Sequence, residues 1–212
     1  MASKKQLAGC FQRAGDLQIS IHLCKEILKV YLDTSGPTDE KYLAVKKQLA
    51  GCYERAEDFE TSIQLRKEIL KVYIDTRGPT DKKCLDRKER LAGCYERAGD
   101  FETSIQLRKE NLKVYLDTRG PTDKKYLAAK EQLAGCYERA GDFETSIQLR
   151  KENLKVYLDT RGPSDEKYLA SKEELAGCYE RAGDFETSIQ LPKDILNVLG
   201  RPMVDIWVQL ED

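Results

Sequence analysis

The chain has 212 residues, of which 34% are charged and 40% are apolar, and its 36 Lys and Arg nearly balance 37 Asp and Glu. This composition is typical of a soluble, helix-rich protein, and the lack of net positive charge argues against nucleic-acid binding, which usually needs a dense basic surface. No segment approaches the roughly 18 consecutive apolar residues of a membrane span, and the N-terminus lacks the apolar core of a signal peptide. We therefore predict a cytoplasmic protein that binds neither nucleic acid nor membrane.

A repeat of 42 residues dominates the chain, and such a period indicates a repeat architecture. The motif Leu-Ala-Gly-Cys begins at five equally spaced positions: Leu7, Leu49, Leu91, Leu133 and Leu175. The blocks 91–132 and 133–174 differ at only four positions. Because the pattern fails after Leu191, we predict one elongated repeat domain over residues 1–191 and a divergent C-terminal segment over residues 192–212.

Each repeat is predicted to form two helices, and the Leu-Ala-Gly-Cys motif lies in the first of them. This helix runs from about Thr80 to Ala98 in one repeat and from Thr122 to Ala140 in the next, with the threonine after Gly-Pro as its N-cap. At the start of the chain it is shortened to about Ser3–Ala14. Its apolar residues follow the spacing of one helical face, as shown by Tyr126, Leu127, Leu133, Ala134, Cys136 and Tyr137.

The second helix follows a glycine such as Gly141, which supplies the left-handed conformation that ends the first helix. Asp142 is predicted to cap the second helix, which ends at Arg161-Gly162-Pro163 because glycine and proline stop a helix. Glu57 replaces the glycine in one repeat and should cost about 1 kcal/mol there. In the last repeat Pro192 removes a helical N–H, so we predict that the last helix breaks or kinks at this residue.

Two short helices cannot bury their apolar faces alone, so each repeat must stack on its neighbours. The five registered copies exceed the minimum of about three repeats that such arrays need. The predicted fold class is therefore all-α, a right-handed α-solenoid of tandem helix-turn-helix repeats with a concave and a convex side.

The pattern of apolar residues and glycines along the repeat resembles that of a known repeat family. The offsets of the tetratricopeptide repeat are occupied by Leu133, Ala134, Tyr137, Gly141, Asp142, Phe143, Ile147 and Leu154. The length of 42 residues is similar to the repeats of kinesin light chains. Ser146 and Arg150 stand where the family prefers alanine and an aromatic residue, so we expect the paired helices to pack differently. The resemblance implies a non-enzymatic scaffold that binds a peptide or protein.

In that family the first helices line the concave groove, so the resemblance also implies which residues of this chain contact a partner. The Asn residues with which kinesin light chains grip a peptide backbone are absent. Mapped position by position, the partner-binding residues are Lys47, Glu54, Arg55, Glu89, Glu96, Arg97, Glu131, Glu138, Arg139, Glu173, Glu180 and Arg181.

A glycine stands in the middle of each complete first helix, at Gly51, Gly93, Gly135 and Gly177. Such a glycine costs up to about 1 kcal/mol relative to alanine, so its recurrence needs a reason. Either a neighbouring helix approaches closely there, which is the alternative we favour, or the helix surface is left bare for the backbone of a ligand.

Little in the sequence indicates catalysis or a bound metal, and we predict neither an enzyme nor a cofactor. His22, the only histidine, replaces a glutamine on a face that should be solvated, and no Cys-x-x-Cys or Cys–His pair offers metal ligands. One cysteine recurs in each repeat, too far from its equivalents for disulfides. We predict five free, buried thiols: Cys10, Cys52, Cys94, Cys136 and Cys178.

Asn111 and Asn153 replace isoleucine in second helices, and we predict that they lie near the helix edge, where a carbonyl or water satisfies the amide. The C-terminal segment is amphipathic, and four of its residues are candidates for a cap or for self-association: Met203, Ile206, Trp207 and Leu210. The two ends of the array also favour a homo-oligomer formed by end-to-end packing. The alternative function is therefore a structural, self-associating array with no dedicated ligand.

Overall fold

The computed structural model describes residues 2–198 of the chain, with side chains described from residue 4 to residue 196. Ten α-helices and no β-strand occur in that range. In chain order they are α1 (Ala2–Ala14), α2 (Leu17–Ser35), α3 (Glu40–Arg55), α4 (Phe59–Arg77), α5 (Lys82–Arg97), α6 (Phe101–Arg119), α7 (Lys124–Arg139), α8 (Phe143–Arg161), α9 (Glu166–Arg181) and α10 (Phe185–Val198).

Odd-numbered helices are the first helices of the repeats, and even-numbered helices are the second helices. The chain forms two compact units, unit 1 (residues 1–111) and unit 2 (residues 112–212), whose boundary falls inside α6. In unit 1 each helix packs against the next from α1 to α5, and in unit 2 each packs against the next from α7 to α10. The predicted fold class, an all-α solenoid of tandem helix-turn-helix repeats, is confirmed.

The N-cap of each complete first helix is an aspartate, one residue after the threonine or serine that follows Gly-Pro. The carboxylate of Asp81 accepts a hydrogen bond from the backbone N–H of Lys83 at 2.8 Å, and the same bond recurs in the other repeats. The predicted caps Thr80 and Thr122 are therefore wrong. An ionised carboxylate is the stronger acceptor, and it also suits the positive end of the helix dipole.

The connection between the two helices of a repeat follows the prediction. Asp142 caps α8 by accepting a hydrogen bond from the backbone N–H of Thr145 at 3.0 Å. Gly141 has a φ of 85°, and Glu57 adopts the same left-handed conformation at a φ of 61°. Both the glycine position and its single replacement are thereby confirmed.

The last helix does not end at Pro192. Instead, α10 continues through the proline to Val198, so the predicted break is wrong. Proline removes only one N–H, and α10 still packs along α9 with Ile195 buried, which holds the following turn in place. The four residues predicted to form a cap, Met203, Ile206, Trp207 and Leu210, lie outside the described residues.

Six of the seven cysteines are buried, free thiols, and the seventh, Cys10, is exposed. Burial is confirmed for the four later members of the repeating set and is wrong for Cys10. In unit 1, Cys52 lies in a buried cluster with Ile21 and Ile27 of α2, the second helix of the repeat before it. No such helix covers Cys10 in the described part of the chain.

The two asparagines lie in the core rather than at a helix edge, so that prediction is wrong. Asn111 and Asn153 are 2% and 1% exposed, because their positions are equivalent to the buried Ile27 and Ile69. Each amide nitrogen does donate to a carbonyl: Asn111 to Leu85 at 3.0 Å and Asn153 to Leu127 at 2.9 Å. Their Oδ1 atoms have no hydrogen-bond partner among the described residues.

Candidate functional site

The predicted partner-binding residues lie on one side of each first helix, around its central glycine. We define the glycine face of a helix as that glycine together with the predicted residues of the same helix. The glycine faces are Lys47, Gly51, Glu54 and Arg55 on α3; Glu89, Gly93, Glu96 and Arg97 on α5; Glu131, Gly135, Glu138 and Arg139 on α7; and Glu173, Gly177, Glu180 and Arg181 on α9.

No neighbouring helix backbone approaches the four glycines, so the close packing that we favoured is wrong. A Cβ atom added at Gly93 would meet nothing within 4 Å among the described residues. At Gly51 it would meet only the side-chain amide of Gln12 at 3.4 Å, and at Gly177 only the guanidinium of Arg181, from 3.3 Å. The bare helix surface was the other alternative, and it is the one that these distances favour.

In unit 1 the acid of a glycine face is buried beneath an exposed arginine. The carboxylate of Glu54 forms ion pairs with Arg66 of α4 and with Arg97 of α5. The Glu54 side chain is only 8% exposed, whereas that of Arg97 is 59% exposed. The carboxylate of Glu54, a predicted partner-binding residue, is therefore largely covered, and the arginine is the charge that this surface presents.

A second buried arginine in unit 1 joins two acids of one first helix. Arg108 of α6 binds Glu89 and Glu96 of α5, at 2.5 and 3.1 Å. Burial raises the pKa of Glu89 above its usual value, and the positive charge of Arg108 only partly opposes this effect. Glu89 and Glu96 therefore contribute mainly to the packing of α5 against α6.

In unit 2, Glu138 occupies the position of Glu54 and is bound in the same way. It pairs with Arg150 of α8 at 3.1 Å and with Arg181 of α9 at 2.7 Å. Burial opposes ionisation of Glu138, but the hydrogen bond from Arg181 and the two positive charges outweigh it and hold its pKa below the usual value.

Glu131 on α7 is half-buried and accepts a hydrogen bond from the hydroxyl of Tyr157 at 3.0 Å. Burial raises the pKa of Glu131. Burial and the charge of Glu131 likewise raise the pKa of Tyr157. This pair is a structural contact between α7 and α8, and its carboxylate is not freely available to a partner.

The remaining predicted residues differ in how far they are available. Lys47 is half-buried, with its ammonium 5.8 Å from the ring centre of Tyr73, and Arg55 donates to the backbone carbonyl of Gln12. Six of the predicted residues are exposed charges: Arg55 and Arg97 in unit 1 and Arg139, Glu173, Glu180 and Arg181 in unit 2.

Sequence reasoning missed the arginines of the second helices, Arg66, Arg108 and Arg150, which hold the glycine-face acids. Each stands 12 residues after the glutamate that it binds. The first repeat has neither member, since it carries Gln12 and Cys24 at these positions. That joint change was the signal in the sequence that could have identified the pair.

Other chemistry would require a reactive histidine, a metal site or a membrane-spanning helix. His22 is exposed and lies 3.5 Å from Glu26, as expected for a surface histidine. Over residues 2–198, no three His, Cys, Asp or Glu side chains cluster in a way that could hold a metal ion. Within the same range, no helix combines the length and the apolar character that crossing a bilayer requires.

The fold is similar to that of several solved helical-repeat proteins. The nearly identical TPR-like repeats of a kinesin-light-chain-type protein from Podosopora anserina match with a TM-score of 0.76 and 19% identity, over 94% of this chain and 95% of that one. BtubC (BKLC) from P. vanneervenii matches with a TM-score of 0.67 and 18% identity, over 92% and 77%. MamA matches with a TM-score of 0.55 and 14% identity, over 90% and 92%. At these identities the similarity establishes the fold alone.

None of the curated proteins compared matches the chain. The sequence model of the tetratricopeptide repeat matches it twice, over residues 1–75 and 125–199, which together make up more than half of its length. Repeats of this family mediate protein–protein interactions in general. The helix-turn-helix repeats, the caps between them and these two matches agree, and the chain belongs to the tetratricopeptide repeat family.

Proposed function

We propose that this protein is a non-enzymatic cytoplasmic scaffold that binds a peptide or protein partner on the glycine faces of its first helices, the predicted concave surface. The observation that carries the proposal is the set of four mid-helix glycines that no helix packing requires. Each costs up to about 1 kcal/mol of helix stability. A position that weakens the fold without serving its packing fits a surface that the backbone of a ligand must approach closely.

The charges beside the glycines support the same role. In both units a buried acid holds an exposed arginine across two repeats, Glu54 with Arg97 and Glu138 with Arg181. An arginine held in this way loses less conformational entropy when it binds a partner, because its position is already restricted. The surface therefore presents guanidinium groups at fixed positions beside bare helix backbone.

The test separates binding from folding. Peptides are selected from a display library on the wild-type chain, and their affinities are then measured for two variants, Gly51→Ala/Gly93→Ala in unit 1 and Gly135→Ala/Gly177→Ala in unit 2. Each substitution should raise stability by about 0.5–1 kcal/mol, because alanine is the better helix former and the new Cβ meets at most the flexible end of a glutamine or arginine side chain. Affinity for peptides that use the substituted face should fall by about tenfold or more.

The matched control is Gln64→Ala, an exposed position on the second helix α4. It should change neither affinity nor stability appreciably. If every selected peptide binds both glycine variants as tightly as the wild type, the glycine faces are not the binding surface and the proposal fails.

A further inference from the structure

Neighbouring repeats meet through one recurring set of contacts within each unit. In unit 1 the thiol of Cys52 on α3 lies 3.2 Å from the hydroxyl of Ser20 on α2. The pair recurs as Cys94 with Ser62 at 3.4 Å and, in unit 2, as Cys178 with Ser146 at 3.5 Å. A first helix therefore presents its cysteine to the serine of the second helix in the repeat before it.

Two further residues of the first helix complete this contact. Leu49, three residues before Cys52, is buried in one cluster with Ile21 of α2. The arginine three residues after the cysteine reaches back to the previous first helix, where Arg97 binds Glu54 and Arg181 binds Glu138. The set contributed by a first helix is thus leucine, cysteine and arginine at intervals of three.

The half of this contact that contains the isoleucine, the serine and the glutamate is exposed on α9 and α10 of unit 2. Ile189, the equivalent of the buried Ile21, is 56% exposed, and Phe185 beside it is 62% exposed. A cavity of about 630 Å³ opens there, and its lining includes Ser188, the equivalent of Ser20, and Glu180, the equivalent of Glu138. The side chain of Glu180 has no hydrogen bond or ion pair within the described part of the chain.

The other half, which consists of the leucine, cysteine and arginine of a first helix, is exposed on α1. Leu7 is 46% exposed, whereas its equivalent Leu49 is 4% exposed. Cys10 is the one exposed cysteine. Arg13 is exposed, and its guanidinium donates to the sulfur of Cys10 at 3.3 Å.

We propose that these two surfaces bind each other between copies, so that α1 of a second copy docks on α9 and α10 of the first. Cys10 then faces Ser188 and Arg13 pairs with Glu180, as their equivalents do inside each unit, and Leu7 packs on Ile189, as Leu49 packs with Ile21 in unit 1. The charges are complementary, and the apolar residues match those of an existing interface. Because the two surfaces differ, a pair of bound copies still offers one free surface of each kind, which leads to open chains or closed rings.

This inference goes beyond the proposed scaffold function, since it concerns contact between two copies of the chain, although Glu180 belongs both to the glycine face of α9 and to this docking surface. It is tested by cross-linking the full chain through Ser188→Cys under mild oxidation with oxidised glutathione. The introduced thiol and the natural Cys10 should form a disulfide between copies, seen as a ladder of linked species on a non-reducing gel. Adding Cys10→Ser should abolish the ladder.

The control is Ser146→Cys, which places a thiol against Cys178 of the same chain and should give no linked copies. Linked copies that persist after Cys10→Ser would come from a different contact and would overturn the proposal. So would the absence of any ladder, which is the expected result if residues 199–212 cover α10 instead.

A charge swap provides a second readout by sedimentation velocity. The wild-type chain should show a sedimentation coefficient that rises with concentration. Arg13→Glu or Glu180→Arg alone should weaken association by about tenfold or more, and the double variant Arg13→Glu/Glu180→Arg should restore it. A chain that stays monomeric at every soluble concentration, or a double variant no better than the single ones, contradicts the proposal.

Discussion

Two equivalent arginines show how the two units use the same repeat differently. Arg108 in unit 1 binds two acids of the first helix in its own repeat, Glu89 and Glu96. Arg150 in unit 2 binds Glu138 of its own repeat, but its second acid is Glu174, which belongs to the next repeat. The arginine therefore holds one repeat together in unit 1 and connects two repeats in unit 2.

Two features accompany this difference. Glu131, the equivalent of Glu89, accepts a hydrogen bond from Tyr157. Glu174 occupies a position that is glutamine or arginine in the other repeats, so only there does a forward carboxylate meet the arginine. Repeats with nearly identical sequences can thus differ in how strongly each is coupled to the next.

The largest expected effect comes from removing these arginines. Arg108→Ala should lower the free energy of unfolding by about 3–5 kcal/mol, because it removes the buried cation that Glu89 and Glu96 share. Arg150→Ala should cost less, about 2 kcal/mol, since Glu174 is 57% exposed and stays hydrated. Urea unfolding followed by circular dichroism measures both.

The control for this comparison is Arg108→Lys, which keeps the charge and should recover part of the loss. Equal losses for Arg108→Ala and Arg150→Ala would show that the two arginines are equivalent after all.

The next effect concerns a feature that the units share. Asn111→Ile should raise the free energy of unfolding by about 1–2 kcal/mol, because it removes a buried Oδ1 without a partner and restores the apolar side chain of Ile69. Asn153→Ile in unit 2 should give the same gain, and Ile69→Asn should give a loss. If either isoleucine variant is less stable than the wild type in urea, the bond to the Leu85 or Leu127 carbonyl matters more than burial.

A smaller effect distinguishes one turn of unit 1 from its equivalents. Glu57→Gly should stabilise the protein by about 1 kcal/mol, because glutamate is strained at a φ of 61° and glycine is not. Gly141→Ala in unit 2 should destabilise it by about the same amount. Thermal unfolding measures both, and a destabilising Glu57→Gly would mean that the glutamate side chain makes up for the strain.

The smallest effect is a difference in pH dependence. Burial raises the pKa of Glu89 above its ordinary 4.5, so the folded state binds this proton more tightly and loses stability as pH rises from 4.5 through the raised pKa. The pKa of Glu138 is lowered, so its contribution is present above 4.5 and is lost as pH falls through the lowered pKa.

Two variants test these signs. Compared with the wild type, Glu89→Gln should gain more stability between pH 4 and pH 7, and Glu138→Gln should gain less. Urea midpoints across that range measure the change. Parallel curves for all three proteins would show that neither carboxylate is linked to folding.

Much of the fold follows from local sequence. The period of 42 residues is visible in the sequence itself. The glycines with positive φ and the aspartates before the second helices act on backbone only a few residues away. For this reason Gly141, Asp142 and Glu57 could be interpreted without knowledge of their neighbours. The first-helix caps were misassigned by one residue, because threonine and aspartate are adjacent and both can cap a helix.

The burial and the ion pairs that only the tertiary structure decided depend on distances between helices. Whether Gly93 is covered, whether Cys10 is buried and which acid Arg150 binds are set by contacts between residues far apart in the sequence, such as Arg150 and Glu174, which are 24 residues apart. Near-identical repeats give most of these residues the same local sequence, so the local pattern alone does not reveal their contacts. Their environments differ because each repeat is packed between different neighbours, and burial and ion pairing are properties of that packing.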